Sequence, residues 1–454
     1  MERGLTISMN LPDGFLECMK ETLKDDFSDY LEYFDKPAFR GLRVNTLKAD
    51  IEKVTKNLDF DTKQVPFCKE GFYISNDIKG LGNHAFHHAG AFYLQEPSAM
   101  SAVEALDVQK GDKVLDLCAA PGGKSTQIAA KLQNTGLLWA NEYVSNRTKV
   151  LASNIERCGV KNAVVSNADT ALIAENFRGY FDRVLVDAPC SGEGMVRREP
   201  NIFTEWKKEN REVCAKRQAE ILDNAAICLK RNGTLVYSTC TLSLEENEKT
   251  VEAFLSRHPE FELIEINQDF GRNGYTYHTD NKQIAKTRRI LFSDGGEGHF
   301  VAKFIKSGEE NCETDIFEYE FKSENIVDEF FEETFYNPPE KYYIKNNVVY
   351  LLPEFYPNTS KIRIVKAGIK AGEIKGKRFV PDHDLFISSN VSEVKNVLDL
   401  PLDDKRVYEF LHGNEIDCDL KGYAAVAVDG ITLGFGKASN GKLKNHYPKG
   451  LRIF

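Results

Sequence analysis

The strongest constraint on the fold is an alternation of short, continuously apolar runs with amphipathic ones between residues 112 and 306. Lys113–Cys118 (KVLDLC), Leu137–Asn141 (LLWAN), Ala163–Ser166, Arg183–Asp187 (RVLVD) and Thr234–Thr239 (TLVYST) read as strands. Ser125–Leu132, Asn146–Cys158, Lys208–Lys230 and Glu245–Arg257 read as the helices between and after them. A Pro-Gly-Gly turn precedes the first helix, Asn232-Gly233 is a stop signal after the third, and Pro259 follows the fourth. Phe261–Ile266 and His299–Lys306 complete the sheet. Strands that are apolar on both faces and joined by helices need a parallel sheet covered on both sides. The expected class is α/β, with a Rossmann-like core.

The flanks differ in composition. Residues 1–90 hold acidic helical stretches and a strand-like segment, Phe39–Asn45, and read as a small α+β unit ahead of a core at 91–306. Residues 307–340 carry twelve acids against one base, Lys322, and end in Pro338-Pro339. An acidic linker and small module is expected over 307–375. Short strands and glycine turns (VVYLLP, KIRIVKAG, YAAVAVDG, ITLGFGKAS) then suggest a β-rich tail, with its domain at 376–454.

The formal charge of -10 hides this asymmetry, because the acidic stretch alone is -11 and the remainder about +1. Residues 361–378 carry seven bases against Glu373, and 437–452 carry five bases and no acid. Local basic patches rather than net charge set affinity for nucleic acid. A solvated surface is the competing reading. No run approaches the roughly 20 apolar residues of a membrane helix, and the N-terminus lacks an apolar signal region. A cytoplasmic protein without membrane contact is expected. The ten cysteines form no C-x-x-C pair, so neither a disulfide framework nor a structural zinc site is expected. His84, His87 and His88 lack the partners of a metal site.

Chemistry concentrates at the strand ends. Asp116-Leu117-Cys118-Ala119-Ala120-Pro121-Gly122-Gly123-Lys124-Ser125 is a strand, a small-residue turn and a helix start. Such a turn lets backbone approach a ligand, beside free N–H groups. A phosphate-binding loop would need glycine at position 118, which is Cys, and no G-x-G-x-x-G is present. A nucleoside-type cofactor such as S-adenosylmethionine, lying across the carboxyl ends of the strands, remains. It demands a carboxylate after the second strand for the ribose, and Glu142 stands there. Asp169 follows the third strand and can meet an adenine amino group, and Asp187 ends the fourth. Any one such acid is more often a helix cap, but acids at four successive strand ends, with Asp116, are harder to dismiss.

Cys190 follows Asp187 and Cys240 follows Thr239, on strands expected to be neighbours. Each alone reads as a buried filler, whereas a pair beside a cofactor turn favours chemistry. Carbon 5 of cytosine is a poor nucleophile until a thiolate adds to carbon 6, which is covalent catalysis. Lys124 is a candidate cation for lowering a thiol pKa, and Asp187, as a carboxylic acid near ring nitrogen 3, could stabilise the adduct. The base must be unstacked to expose carbon 6, so single-stranded or flipped nucleotides are expected. Arg197 and Arg198 read either as RNA-phosphate contacts or as ordinary loop arginines. Trp139 and Trp206 read as packed rather than base-stacking.

These motifs resemble the RNA 5-methylcytosine methyltransferases. The resemblance rests on Cys118–Lys124 (CAAPGGK), Asp187–Gly192 (DAPCSG), Ser238–Cys240 (STC), Arg43-Val44-Asn45-Thr46, Tyr93-Leu94-Gln95-Glu96 and Glu297–Ala302, and covers roughly residues 10–306. It implies that Cys240 is the nucleophile and that Cys190 assists proton removal or product release. It also implies that Cys118, Ala119, Ala120, Pro121, Gly122, Gly123, Lys124, Glu142, Asp169 and Asp187 contact S-adenosylmethionine. DNA cytosine methyltransferases use the Pro-Cys thiol instead, and the added Thr-Cys motif favours RNA. Lys361–Phe379 and Leu433–Arg452 resemble the C-terminal region of RsmF-like bacterial enzymes, implying a PUA-like RNA-binding domain and 16S ribosomal RNA or the small subunit as partner. A monomer is expected. Leu291-Phe292-Ser293-Asp294 departs from the Pro-His that relatives often carry nearby, so a local substrate contact differs. A tRNA cytosine-5 methyltransferase and a non-catalytic RNA-binding assembly factor are the alternatives.

Overall fold

The computed structural model describes residues 11–308, 317–318 and 323–453. Cys312, Lys322 and the acids at 309, 310, 313, 315 and 320 lie outside the described residues. After two helices, Phe15–Leu23 and Phe27–Phe34, strands β1 (Arg40–Val44), β2 (Thr62–Val65), β3 (Cys68–Ile74) and β4 (Phe92–Leu94) form an antiparallel sheet ordered β2-β3-β1-β4.

The large sheet is built from β5 (Lys113–Asp116), β6 (Leu137–Asn141), β7 (Ala163–Asn167), β8 (Phe181–Asp187) and β9 (Leu229–Thr239). These five are mutually parallel in the order β7-β6-β5-β8-β9. Four later strands, β10 (Phe261–Leu263), β11 (Arg272–Asn273), β12 (Arg288–Ile290) and β13 (His299–Lys306), add antiparallel pairs beyond β9. Strand order reverses at β5, between β6 and β8, which opens a crevice at the carboxyl ends. One apolar core lies on each face. Trp139, Phe177, Val186 and Tyr237 belong to one, and Leu138, Ile155, Leu185 and Val236 to the other. The alternation of residues along β6, β8 and β9 between two buried faces explains why the runs are continuously apolar.

Two sequence expectations need correction. Asn232-Gly233 does not stop a helix. The helix Asn210–Cys228 ends earlier and β9 begins at once. Asn232 takes φ 63° inside β9, and a Cβ at Gly233 would sit 2.9 Å from the Asp182 carbonyl, so the pair makes an irregularity against β8. Arg197 is not an exposed RNA contact. It is buried, donates through Nε to Glu297 at 2.9 Å and stacks on Phe292 at 4.1 Å, whereas Arg198 is exposed. The Glu297 carboxylate also accepts the Phe39 N–H at 2.7 Å.

The flanking segments clasp the core and each other. The strand Arg363–Ala367 pairs antiparallel with β7 and closes that edge of the large sheet. Tyr343–Lys345, Val348–Leu351, Ile369–Lys375 and Arg378–Pro381 form an antiparallel sheet that crosses the boundary expected at 375. A five-stranded sheet follows between Val397 and Asn445. Leu42, Val44 and Phe92 of the N-terminal unit share one core with Val426 and Leu433 of this last sheet and with Phe410 of the helix Lys405–His412. His88 faces Tyr447 Oη at 2.8 Å across that junction. His84 caps the short helix Ala85–His88, and His87 Nδ1 faces the Gly82 carbonyl at 3.0 Å. The basic stretch 361–378 is partly neutralised, since Lys366 pairs with the buried Asp384 and Lys370 with Asp382. No helix among the described residues is long and apolar enough to cross a membrane.

Removing one partner from a buried ion pair leaves the other charge stranded, at a cost of about 3–5 kcal/mol. Glu297→Ala should therefore destabilise the chain by about that amount in denaturant titrations, and a loss below about 1 kcal/mol would show that Arg197 finds other partners.

Candidate active site

Four of the five parallel strands end at or within two residues of an acid, and β9 ends before Cys240 instead. Asp116 ends β5 fully buried, accepts the Ser125 hydroxyl at 2.6 Å, and is pushed up by burial to about 7. The turn that follows is pinned to both neighbouring strands. Leu117 N–H donates to the Leu185 carbonyl at 3.0 Å and Ala119 N–H to the Asn141 carbonyl at 2.8 Å. Gly122, at φ 110°, starts the helix Gly123–Leu132, and the Gly123 carbonyl accepts from Arg43 at 2.8 Å.

Glu142 follows β6, buried, with its carboxylate accepting the Val144 N–H at 2.8 Å and facing Arg147 at 3.5 Å. Asp169 follows β7 and caps the helix Thr170–Asn176 through the Ala171 N–H at 2.9 Å. Asp187 ends β8. Its Oδ1 accepts the Ser238 hydroxyl and its Oδ2 the Lys124 ammonium, each at 2.8 Å. Burial alone would raise this carboxyl, but Lys124 holds it below its usual range, so it is ionised. The expected carboxylic-acid donor is therefore a carboxylate, because a buried cation pairs with it. Lys124 is likewise kept charged. Burial opposes its charge, and Asp187 together with the Cys240 sulfur outweighs that cost.

Two cavities open here. One, of about 1020 Å³, is lined by Cys118, Ala120, Glu142, Tyr143, Asp169 and Asp187, among others. The other, of about 630 Å³, is lined by Pro121, Lys124, Asp187, Trp206 and His299, among others. They share Asp187, Cys190 and Cys240. Ala119, Gly122 and Gly123 line neither cavity. They shape the turn instead. The first cavity fits a nucleoside-type cofactor by its donor set, with carboxylates at the ends of β6 and β7 able to accept hydroxyl and amino hydrogens.

The two thiols meet at the junction, with Sγ atoms 3.2 Å apart. Contact with Cys240, added to burial, pushes the Cys190 thiol well above its ordinary range. A buried network holds the two loops together. Ser191 Oγ contacts Thr241 Oγ1 at 2.7 Å. The Glu246 carboxylate accepts the Ser191 N–H at 3.0 Å and the Gln218 amide at 2.9 Å. Glu193 accepts from Trp206 at 2.8 Å and Arg211 at 2.7 Å. Gly194 N–H donates to the Cys240 carbonyl at 3.0 Å, and a Cβ at Gly194 would lie 2.2 Å from the Gly298 carbonyl. Only glycine allows that approach. Sequence reasoning missed Glu246, Glu193 and His299. The run Glu245-Glu246-Asn247-Glu248, separated from the Thr-Cys-Thr turn by three residues, was the available signal for the first.

Among the described residues, Cys68, Glu70 and Glu104 come close enough to share a cation, but Lys131 already pairs with both carboxylates, at 3.6 and 2.9 Å.

Comparison with known proteins covers nearly the whole chain. Residues 103–305 match the family described as 16S rRNA methyltransferase RsmB/F. Residues 11–97 match the N-terminal domain of 16S rRNA methyltransferase RsmF, 329–388 the RsmF first C-terminal domain, and 397–453 the RsmF PUA domain. The ribosomal RNA small subunit methyltransferase F of Vibrio vulnificus (strain YJ016) is 32% identical over 97% of both chains. That of Vibrio atlanticus (strain LGP32) is 34% identical with the same coverage. A methyltransferase homolog protein from Pyrococcus horikoshii superposes with a TM-score of 0.58 at 30% identity, covering 64% of this chain and 93% of that one. The structure of NSun6 from the same organism with SFG, at 24% identity and a TM-score of 0.58, covers 66% of this chain and 99% of that one and shares the fold.

Glu246 holds its proton more tightly in the folded chain, with burial lifting its carboxyl from 4.5 to about 7. A raised carboxyl supports stability fully below the lower value and loses that support as pH rises through the upper one. Glu246→Gln has no such loss. Its stability relative to the parent should rise between about pH 5 and about pH 8 in denaturant titrations, and a pH-independent difference would reject the shift.

Proposed function

This chain belongs to the ribosomal RNA small subunit methyltransferase F family, and we propose that it methylates carbon 5 of a cytosine in 16S ribosomal RNA through a covalent Cys240 adduct. It is an S-adenosylmethionine-dependent methyltransferase with a Rossmann-like core and a PUA domain. The observation that carries the covalent reading is the 3.2 Å contact between two thiols at the shared wall of two cavities.

Glu142 and Asp169, with the backbone of Cys118 and Ala120, would hold the cofactor in the larger cavity. S-adenosylmethionine, when bound, supplies the methyl group that carbon 5 acquires. The target base would occupy the smaller cavity. Cytosine presents an amino donor beside the acceptor nitrogen 3, and the Asp187–Lys124 pair presents a carboxylate beside an ammonium. Uracil, with a carbonyl at position 4 and a proton on nitrogen 3, mismatches both. Lys124 lines the same cavity as Cys240 and so places an ammonium beside the nucleophile's cavity wall. The Cys240 sulfur adds to carbon 6, which makes carbon 5 enamine-like. Departure of the carbon-5 proton then expels the Cys240 sulfur, and Cys190, in contact with that sulfur, assists this release. The target must leave the stack to enter the cavity. The partner is ribosomal RNA or the small subunit, the working form is a monomer, and the compartment is the cytoplasm.

Cys240→Ala should abolish methyl transfer while cofactor binding, read by calorimetry, persists. Retained turnover rejects the nucleophile. Cys190→Ala should accumulate a protein–RNA adduct, seen as a shifted band on a denaturing gel. With labelled methyl donor, small-subunit rRNA should take up label and tRNA should not. Label in tRNA alone overturns the substrate, and binding without transfer supports a non-catalytic factor.

A further inference from the structure

His299 opens β13, whose antiparallel register sets Phe300 against Thr239, so His299 lies beside Cys240. Side chains alternate along a strand. Val301, two residues on, packs with Leu185 and Val236, so His299 faces the same side of the sheet. Asp187 and Ser238 stand two residues beyond those core residues on β8 and β9, on the same face. The ring lines the 630 Å³ cavity together with Lys124, Asp187 and Cys240. Only 4% of the residue is exposed, yet Nε2 has no hydrogen-bond partner among the described residues. Buried polar groups are normally paired, and one left open beside a reaction centre is explained by a ligand. Burial and the nearby Lys124 ammonium keep the ring neutral, its pKa lowered to about 3. A neutral imidazole carries one N–H donor without adding a second cation beside Lys124.

Resting on the function above, we propose that His299 is a base-contacting residue, donating a ring N–H to the carbonyl oxygen at position 2 of the target pyrimidine. When the Cys240 sulfur bonds to carbon 6, the pair from the 5,6 double bond shifts to form a double bond between carbons 4 and 5. Negative charge then spreads over nitrogen 3 and the position-2 oxygen. A donor at that oxygen binds the adduct more tightly than the free base, and so accelerates its formation. Lys124 and Asp187 cover the nitrogen-3 edge, and His299 covers the one remaining polar edge of the ring.

The test uses the full chain with small-subunit rRNA and labelled S-adenosylmethionine. His299→Phe keeps the ring's bulk and removes its donor. It should lower kcat by about a hundredfold, the usual size for loss of one such donor, with cofactor affinity unchanged by calorimetry. In a Cys190→Ala background, the same change should slow adduct formation by a similar factor. His299→Gln and His299→Asn place an amide N–H near Nε2 and Nδ1 respectively, and one of them should recover about tenfold of the lost rate. These two also carry the comparison if the Phe variant fails to fold. His299→Phe within about threefold of the parent would overturn the inference, as would a matching loss of cofactor affinity. If the parent chain transfers no label to rRNA, the proposed function fails first and this inference falls with it. A labelled parent with an unaffected His299→Phe rejects this inference alone.

Discussion

Parallel pairing of β8 with β9 sets Asp187 opposite Ser238, and the rest of the site is arranged around that register. Because the two strands end level, the loops that leave them carry Cys190 and Cys240 to the same point, sulfur against sulfur. A shift by one residue would turn one of them to the opposite face of the sheet. The hydroxyl of Ser238 on the Asp187 carboxylate ties the two strand ends together directly. Lys124, reaching from the helix after β5, draws the glycine turn onto the same carboxylate.

Such a junction must be rigid although it lies at loops, and buried charge supplies the rigidity. Arg211 with Glu193, Arg289 with Glu248, and Arg197 with Glu297 are three buried ion pairs around the cysteine loops. Each is hydrogen-bonded on more than one side, as a buried pair must be to offset desolvation. The first reaches the Thr-Cys-Thr turn, since Thr241 donates to Glu193 at 3.2 Å. The last joins the N-terminal segment to the loop before β13. The N-terminal unit and the last sheet share a core, so the two flanking segments form one body against the catalytic sheet.

Much of this was legible in the chain. The five parallel strands follow from runs that stay apolar through two alternating faces, and the acids Glu142, Asp169 and Asp187 fall where strand ends demand them. Asp169 serves as the helix cap that such an acid commonly is, and also lines the larger cavity. Arg197 escaped because a loop arginine carries no local sign of burial. Its partner Glu297 lies a hundred residues away. The misread stop at Asn232-Gly233 has a similar origin, since an Asn-Gly pair marks a left-handed residue wherever one is needed, in a strand as well as after a helix.

Sequence by itself determined the five parallel strands, the glycine turn after β5 and the placing of two cysteines just past neighbouring strand ends, because periodicity and short-range spacing are local properties of the chain. Tertiary structure alone decided how those groups are charged and what they touch. Asp187 is a carboxylate rather than an acid because Lys124 reaches it across 63 positions. Glu246 is buried under the cysteine loops, and the His299 ring is left without a partner on one nitrogen, because strands distant in sequence end at one place. Protonation and pairing depend on dielectric and distance through space, which no spacing along the chain encodes.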